Sequence, residues 1–117
     1  MLVVETYVDR SKINGFGVFV RHAVKKGSLI WEFVEGFDLE LAPEAFPPQA
    51  QTYIKHYGNM VRPGIYLLCG DNARYMNHFH EPNMSAAEDK NHALRDLAPG
   101  DEILCDYREF DIDFKAF

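Results

Sequence analysis

Cysteine is scarce in this chain: two residues, Cys69 and Cys105, among 117. That is too few for the stapled framework of a small secreted domain and too few for a four-thiolate zinc site. Both stand in apolar, strand-like runs, so buried free thiols are expected, although sequence alone does not exclude a disulfide. Long apolar runs are also missing, and none approaches the roughly 20 residues that a membrane helix needs. The opening Met1-Leu2-Val3-Val4 runs at once into Glu5, without the basic segment and long apolar core of a secretory signal. The expectation is an intracellular protein without a membrane partner, in the cytoplasm or, in a eukaryote, the nucleus. Basic residues are outnumbered, 12 against 18 acidic, for a formal net charge of −6. Such a balance argues against direct binding of nucleic acid. Repeats, linkers and low-complexity segments are absent as well.

What is there is enough for one core. Hydrophobic residues make up 47% of the chain, and residues 1–117 read as one domain. Charge is uneven. Residues 32–44 hold Glu32, Glu35, Asp38, Glu40 and Glu44 and no base, and residues 101–117 are acidic too. Arg10, Lys12, Arg21, Lys25 and Lys26 crowd residues 10–26. An acidic face suits a basic partner such as a lysine-rich segment; plain solubility explains it equally well.

The β-branched and aromatic stretches 2–8, 18–21, 28–34, 65–69 and 102–107 read as strands, with 92–97 as another candidate. Residues 9–14 read as a turn. One helix is expected over 48–57, in an insert of about 43–58, with Pro48 in its first turn and Gly58 as its stop. There Ala50, Tyr53, Ile54 and Tyr57 form an apolar stripe, read as core. Many short strands with one short helix make a β-rich α+β domain.

Residues 70–83 stand apart. They run Gly-Asp-Asn-Ala-Arg-Tyr-Met-Asn-His-Phe-His-Glu-Pro-Asn. Asn and Asp are disfavoured in strands, and Glu81-Pro82 cannot continue a helix. The stretch reads as a folded-in loop whose polar groups are used. Asn77 and His78 offer donors and acceptors, and Arg74 can fork to a carboxylate. A polar small-molecule pocket and a well-satisfied structural loop both fit. His78, His80 and His92 could also be metal ligands, but no acidic third ligand sits at a diagnostic spacing. Gly15-Phe16-Gly17 could admit a ligand to the backbone or form a plain hairpin.

Three blocks, read together, resemble the SET domain of protein-lysine methyltransferases. The first is Gly15-Phe16-Gly17-Val18-Phe19, with the Lys26-Gly27-Ser28 turn after it. The second is Arg74-Tyr75, Asn77-His78 and Pro82-Asn83. The third is Gly100 through Asp106-Tyr107. They span positions 15–107 in the family's order. The resemblance implies a fold of small β-sheets with one short helical insert, in which the Asn-His segment threads under the last strand as a C-terminal pseudoknot. It implies S-adenosylmethionine as methyl donor, met by the backbone of Gly15, Phe16 and Gly17. Arg74, Asn77 and His78 would complete the cofactor site, and Tyr107 would stand at the point of methyl transfer. The partner implied is a protein with a basic, lysine-containing segment.

The chain departs from that pattern at Phe79-His80, where Ser-Cys is usual, and at Cys105, where Phe or Tyr is often found. It lacks the flanking zinc clusters and ends ten residues after Tyr107. Closure of the lysine channel is therefore expected from Phe110, Phe114 and Phe117 or from a second subunit in a homodimer. Two other readings stay open: a SET-fold binding module without turnover, and a purely structural β domain.

Overall fold

A computed structural model describes residues 1–115. Among the described residues, nine short strands build four small sheets around one core. β1 (Thr6–Arg10) and β2 (Phe16–Val20) form an antiparallel hairpin in which Tyr7 stacks on its cross-strand partner Phe19 at 5.5 Å. β3 (Leu29–Glu32) pairs with β8 (Lys90–His92) across a bulge. β6 (Ile65–Leu68) lies between β4 (Leu39–Leu41) and β5 (Asn59–Arg62). β7 (Asn77–His78) and β9 (Leu104–Cys105) pair in parallel, with Asn77 opposite Leu104 and His78 opposite Cys105. Two parallel strands cannot be joined by a tight turn, so the chain loops out between β7 and β9 before it pairs. The pairing sets the Asn-His segment beside the last strand, the neighbours that the family resemblance implies.

Alternation along β2 buries Val18 and Val20 completely, and Ile30, Leu97 and Ile103 close the same core. Cys69 and Cys105 are free thiols, as expected. α1 (Pro48–Tyr57) occupies the span predicted for it. Pro48 brings no N–H that would need an acceptor in the first turn, and the Gly58 N–H closes the helix on the Ile54 carbonyl at 2.7 Å. Its stripe is not core, however: of the four residues only Ile54 is buried, and Tyr53 is exposed. Among the described residues no helix is long and apolar enough to cross a membrane.

Several boundaries move, each for a tertiary reason. The run 2–8 is split between two sheets. Val3 N–H donates to the Ile30 carbonyl and Glu32 N–H to the Met1 carbonyl, so residues 1–3 lie beside β3, and β1 begins only at Thr6. Asp9 and Arg10, read as a turn, extend β1 because they pair with Gly17 and Phe16. The candidate strand 92–97 lies earlier, at β8, because the register with β3 is set through Lys90, Asn91 and His92. Beyond it only single bridges remain, Ala93 to Met84 and Leu97 to Val24. β4, β5 and β7 carry no alternating signal of their own and exist through pairing.

Candidate functional site

The polar loop begins on a cap. Asp71 Oδ1 accepts the Ala73 N–H at 3.0 Å, turning Asn72–Tyr75 into one 3₁₀ turn, and Oδ2 accepts the Leu2 N–H at 2.8 Å. Arg74, expected to fork to a carboxylate, instead grips a carbonyl. Its Nε and Nη2 donate to the Cys69 oxygen at 3.1 and 2.9 Å, while Nη1 reaches the Tyr53 hydroxyl at 2.5 Å. The part-buried Cys69 carbonyl, just past β6, thus takes two donors from one guanidinium.

Beyond the turn, β7 presents Asn77 and His78 to opposite tasks. The Asn77 side-chain nitrogen donates to the carbonyls of Asn14 and Phe16, both at 2.9 Å, and to Glu102 Oε2 at 3.1 Å. It therefore ties the first glycine-containing loop to the last strand. His78 Nδ1 accepts the backbone N–H of Tyr107 at 3.0 Å. Burial lowers the imidazole's proton affinity against the pull of Asp106. Asp106 lies 3.7 Å from Nδ1 and is itself committed to Arg108 at 2.6 Å, which holds its carboxyl down at about 2. A neutral ring with its lone pair on Nδ1 satisfies all three observations.

Tyr107 follows β9 directly. Its hydroxyl donates to the Met76 carbonyl, and burial pushes its proton affinity well above the ordinary phenol. Tyr107 is therefore a protonated donor at neutral pH and not a base. Its ring packs edge-on against Phe110 at 5.6 Å and Phe114 at 5.4 Å, and Phe114 lies 4.5 Å from the His78 ring. Of the three aromatics expected to close the lysine channel, Phe110 and Phe114 pack on the Tyr107 ring, Phe110 lining the larger cavity and Phe114 the smaller, and Phe117 lies outside the described residues.

Two cavities meet at this point. The smaller, about 270 Å³, is lined by residues 13–16 and by His56, Asn77, His78 and Phe114. The larger, about 450 Å³, has an apolar interior of Trp31, Phe33, Leu67, Met84 and Phe110. Its acidic side chains are Glu40, Glu88, Asp89, Glu109 and Asp111. Tyr57, Arg74, Met76 and Tyr107 line both. Of the residues expected at the site, Gly15, Phe16, Arg74, Asn77, His78 and Tyr107 line the smaller cavity, whereas Gly17 does not. Gly15 has φ +50° and only open space where a side chain would stand, and the Phe16 ring is 58% exposed at the rim.

Three contributors escaped sequence reasoning. Tyr57 was read as core but forms part of both cavity walls. Asn83 is 1% exposed; its Nδ2 donates to the Glu102 carbonyl at 2.7 Å and its Oδ1 accepts the Leu104 N–H at 2.8 Å. Glu102 faces Ser11 and Asn77. Asn83 stood in the Pro-Asn pair, but nothing local to it named its partners. Among the described residues no three His, Cys, Asp or Glu side chains converge on a common point.

Comparison with known proteins agrees with this geometry. The SET-domain family profile matches residues 15–108. A histone-lysine N-methyltransferase of Arabidopsis thaliana is 31% identical over 134 aligned positions, which cover 93% of this chain. The chain spans only 12% of that relative's length. Among solved structures, the Chaetomium thermophilum Polycomb Repressive Complex 2, in an autoinhibited conformation bound to S-adenosylmethionine, superposes with a TM-score of 0.68. It is 16% identical, covering 94% of this chain and 16% of that one. A Plasmodium falciparum chain named as a candidate histone methyltransferase gives 0.64 at 21% identity, covering 89% of this chain and 93% of its own. At these identities the structural matches speak for the fold.

Proposed function

Because this chain belongs to the SET-domain family, we propose that it transfers methyl groups from S-adenosylmethionine to lysine side chains of a protein. The observation that carries the reading is the shared wall: Tyr107 and Met76 line two cavities of different character. A reaction between two bound partners needs two pockets that touch, since most of its acceleration comes from alignment and loss of water.

The smaller cavity fits the cofactor. A side chain at Gly15 would project into its open space, Phe16 offers an exposed aromatic face, and Asn14 through Phe16 present backbone edges. Asn77 and His78 complete it, Asn77 largely by holding the loop in shape. S-adenosylmethionine held there would supply an electrophilic methyl: the lone pair of a neutral lysine nitrogen would form the N–C bond as the S–C bond breaks, the thioether would be the leaving group, and the methylated ammonium would give up its proton to solvent. The larger cavity fits the lysine. Its apolar lining favours the neutral amine that can attack, because desolvation penalises the ammonium. Tyr107, protonated and held by Met76, orients groups at the junction through its hydroxyl oxygen and never takes the proton. Phe110 and Phe114 of the same chain pack on the Tyr107 ring at the junction, which supports closure from within the chain.

The substrate class follows from charge. Arg62 answers Glu40, and Arg108 answers Asp106. Among the described residues Glu88, Asp89 and Glu109 have no salt-bridge partner and leave the mouth negative. A basic segment around the lysine is favoured, and a histone tail, the substrate in the Arabidopsis relative's name, is one. In that case the protein works inside the cell, in the nucleus of a eukaryotic host. Calorimetric titration with S-adenosylmethionine, paired with methylation of a lysine-rich peptide, tests the proposal. Binding and turnover in the wild type, with turnover lost in Tyr107→Phe, are expected. No binding would refute it, and binding without turnover would favour the inactive binding module.

A further inference from the structure

Gly17 is usually the kind of residue assigned to a ligand's close approach, yet here it lines neither cavity. Its backbone does not require glycine either: the positive-φ residues include Gly15 but not Gly17. What occupies the space is Glu102. A Cβ at position 17 would stand 2.2 Å from Glu102 Oε2 and 2.8 Å from its Cδ, with Ser11 Cβ at 3.2 Å. A carboxylate at the end of a side chain can ordinarily swing aside. This one cannot without loss, because Ser11 Oγ lies 2.8 and 2.9 Å from its two oxygens and Asn77 Nδ2 lies 3.1 Å from Oε2.

The same groups hold the loop. Ser11 Oγ also accepts the Ile13 N–H at 2.9 Å, and Ser11 N–H donates to the Gly15 carbonyl at 2.8 Å. Asn77 Nδ2 takes the carbonyls of Asn14 and Phe16. Among the described residues, these side-chain ties of residues 11–16 run to Glu102 either directly or through Ser11 or Asn77. We infer that Glu102 is a positioning residue for the loop that walls the smaller cavity, and that position 17 is glycine to admit its carboxylate and not a ligand. Reaching from β9's approach segment to the hairpin, it sets where Gly15 and Phe16 stand relative to Asn77. The consequence for the cofactor rests on the methyltransferase reading; the coupling of Gly17 to Glu102 does not.

The experiment is a double-mutant cycle with Gly17→Ala and Glu102→Ala, read twice, with Glu102→Gln as the shape-preserving variant. Read by calorimetry with S-adenosylmethionine, Gly17→Ala should weaken binding about tenfold in the wild-type background, as expected for loss of one hydrogen bond to a charged group. In the Glu102→Ala background the same change should cost less than about threefold. Glu102→Gln should raise KM for S-adenosylmethionine about tenfold while leaving kcat within about twofold, since the reacting groups at Tyr107 are untouched. A merely structural role would lower the active fraction, and so apparent kcat, without moving KM. Read by urea unfolding, the cycle needs no cofactor: Gly17→Ala should destabilise the wild type and be close to neutral without the carboxylate. Equal effects of Gly17→Ala in both backgrounds, or a Glu102→Gln enzyme with unchanged KM, would overturn the inference. If the wild type binds no S-adenosylmethionine, the methyltransferase reading fails, and the unfolding cycle alone decides for or against the Gly17–Glu102 coupling.

Discussion

Replacing Asn83 with alanine removes one side chain and orphans two backbone groups. Asn83 is buried to 1% exposure, and its amide spans the Glu102 carbonyl at 2.7 Å and the Leu104 N–H at 2.8 Å. Between those two residues sits Ile103, fully buried, so water has no ready route to replace the lost partners. Each unpaired buried group costs about 1–3 kcal/mol, which puts the substitution at about 2–6 kcal/mol. A domain of this size is stable by roughly 5–15 kcal/mol, so the loss is a large share of the whole. The damage is also directed, because the strand so pinned leads straight into Tyr107 and its parallel partner carries Asn77 and His78. Urea unfolding of Asn83→Ala should show a lower midpoint with an unchanged slope, and S-adenosylmethionine affinity should fall with it. Asn83→Asp should do no better, since it sets an oxygen against the Glu102 carbonyl. Asn72→Ala is the control: its one side-chain contact, to Thr6 Oγ1 at 3.5 Å, is too long to matter, and a loss below about 0.5 kcal/mol is expected. A cost below about 1 kcal/mol for Asn83→Ala would refute the claim that this amide holds the crossing.

The other predictions concern chemistry and pH. Tyr107→Phe should cut kcat by about a hundredfold or more while changing S-adenosylmethionine affinity little, measured by single-turnover methylation; equal loss in both would point to a binding role. Burial lowers the proton affinity of folded His78, so the unfolded chain protonates first. Stability should be full above about pH 6.5 and fall as pH drops below it. Denaturation at pH 7.5 and 5.5 should show that loss in the wild type, and a smaller one in His78→Gln. Asp106 has the depressed carboxyl, so its contribution persists at pH 5.5 and is lost only as pH falls below about 4 toward about 2. Burial holds Cys69 up at about 12 and Cys105 higher still, so iodoacetamide at pH 8 should label the native protein slowly and the urea-unfolded protein fast. Removing residues 109–117, and with them Phe110 and Phe114 from the Tyr107 ring, should reduce peptide methylation more than cofactor binding; unchanged methylation would sink the idea that these aromatics wall the channel.

Much of this was written locally. The 48–57 helix is bracketed by its own Pro48 and Gly58, and the β-branched and aromatic run 18–21 reads as a strand without reference to a partner. The parallel crossing of β7 and β9 and the cluster around Tyr107 were expected only because three short blocks stood in a familiar order. Residue chemistry alone left 70–83 undecided between pocket and structural loop. Tertiary structure decided the rest, because the partners that assign a polar side chain its task come from far along the chain. Arg74 could have met a carboxylate; the Cys69 carbonyl took it instead. Asn77 could have spent its amide on a ligand, but it spends it on Asn14, Phe16 and Glu102, residues 25 to 63 positions away. Gly17 looked like its neighbour Gly15, and the difference lies in Glu102, which no reading of a Gly-x-Gly motif contains. Hydrogen-bond capacity is a property of the residue and can be read in the sequence; which bond is made depends on what the fold brings within 3 Å.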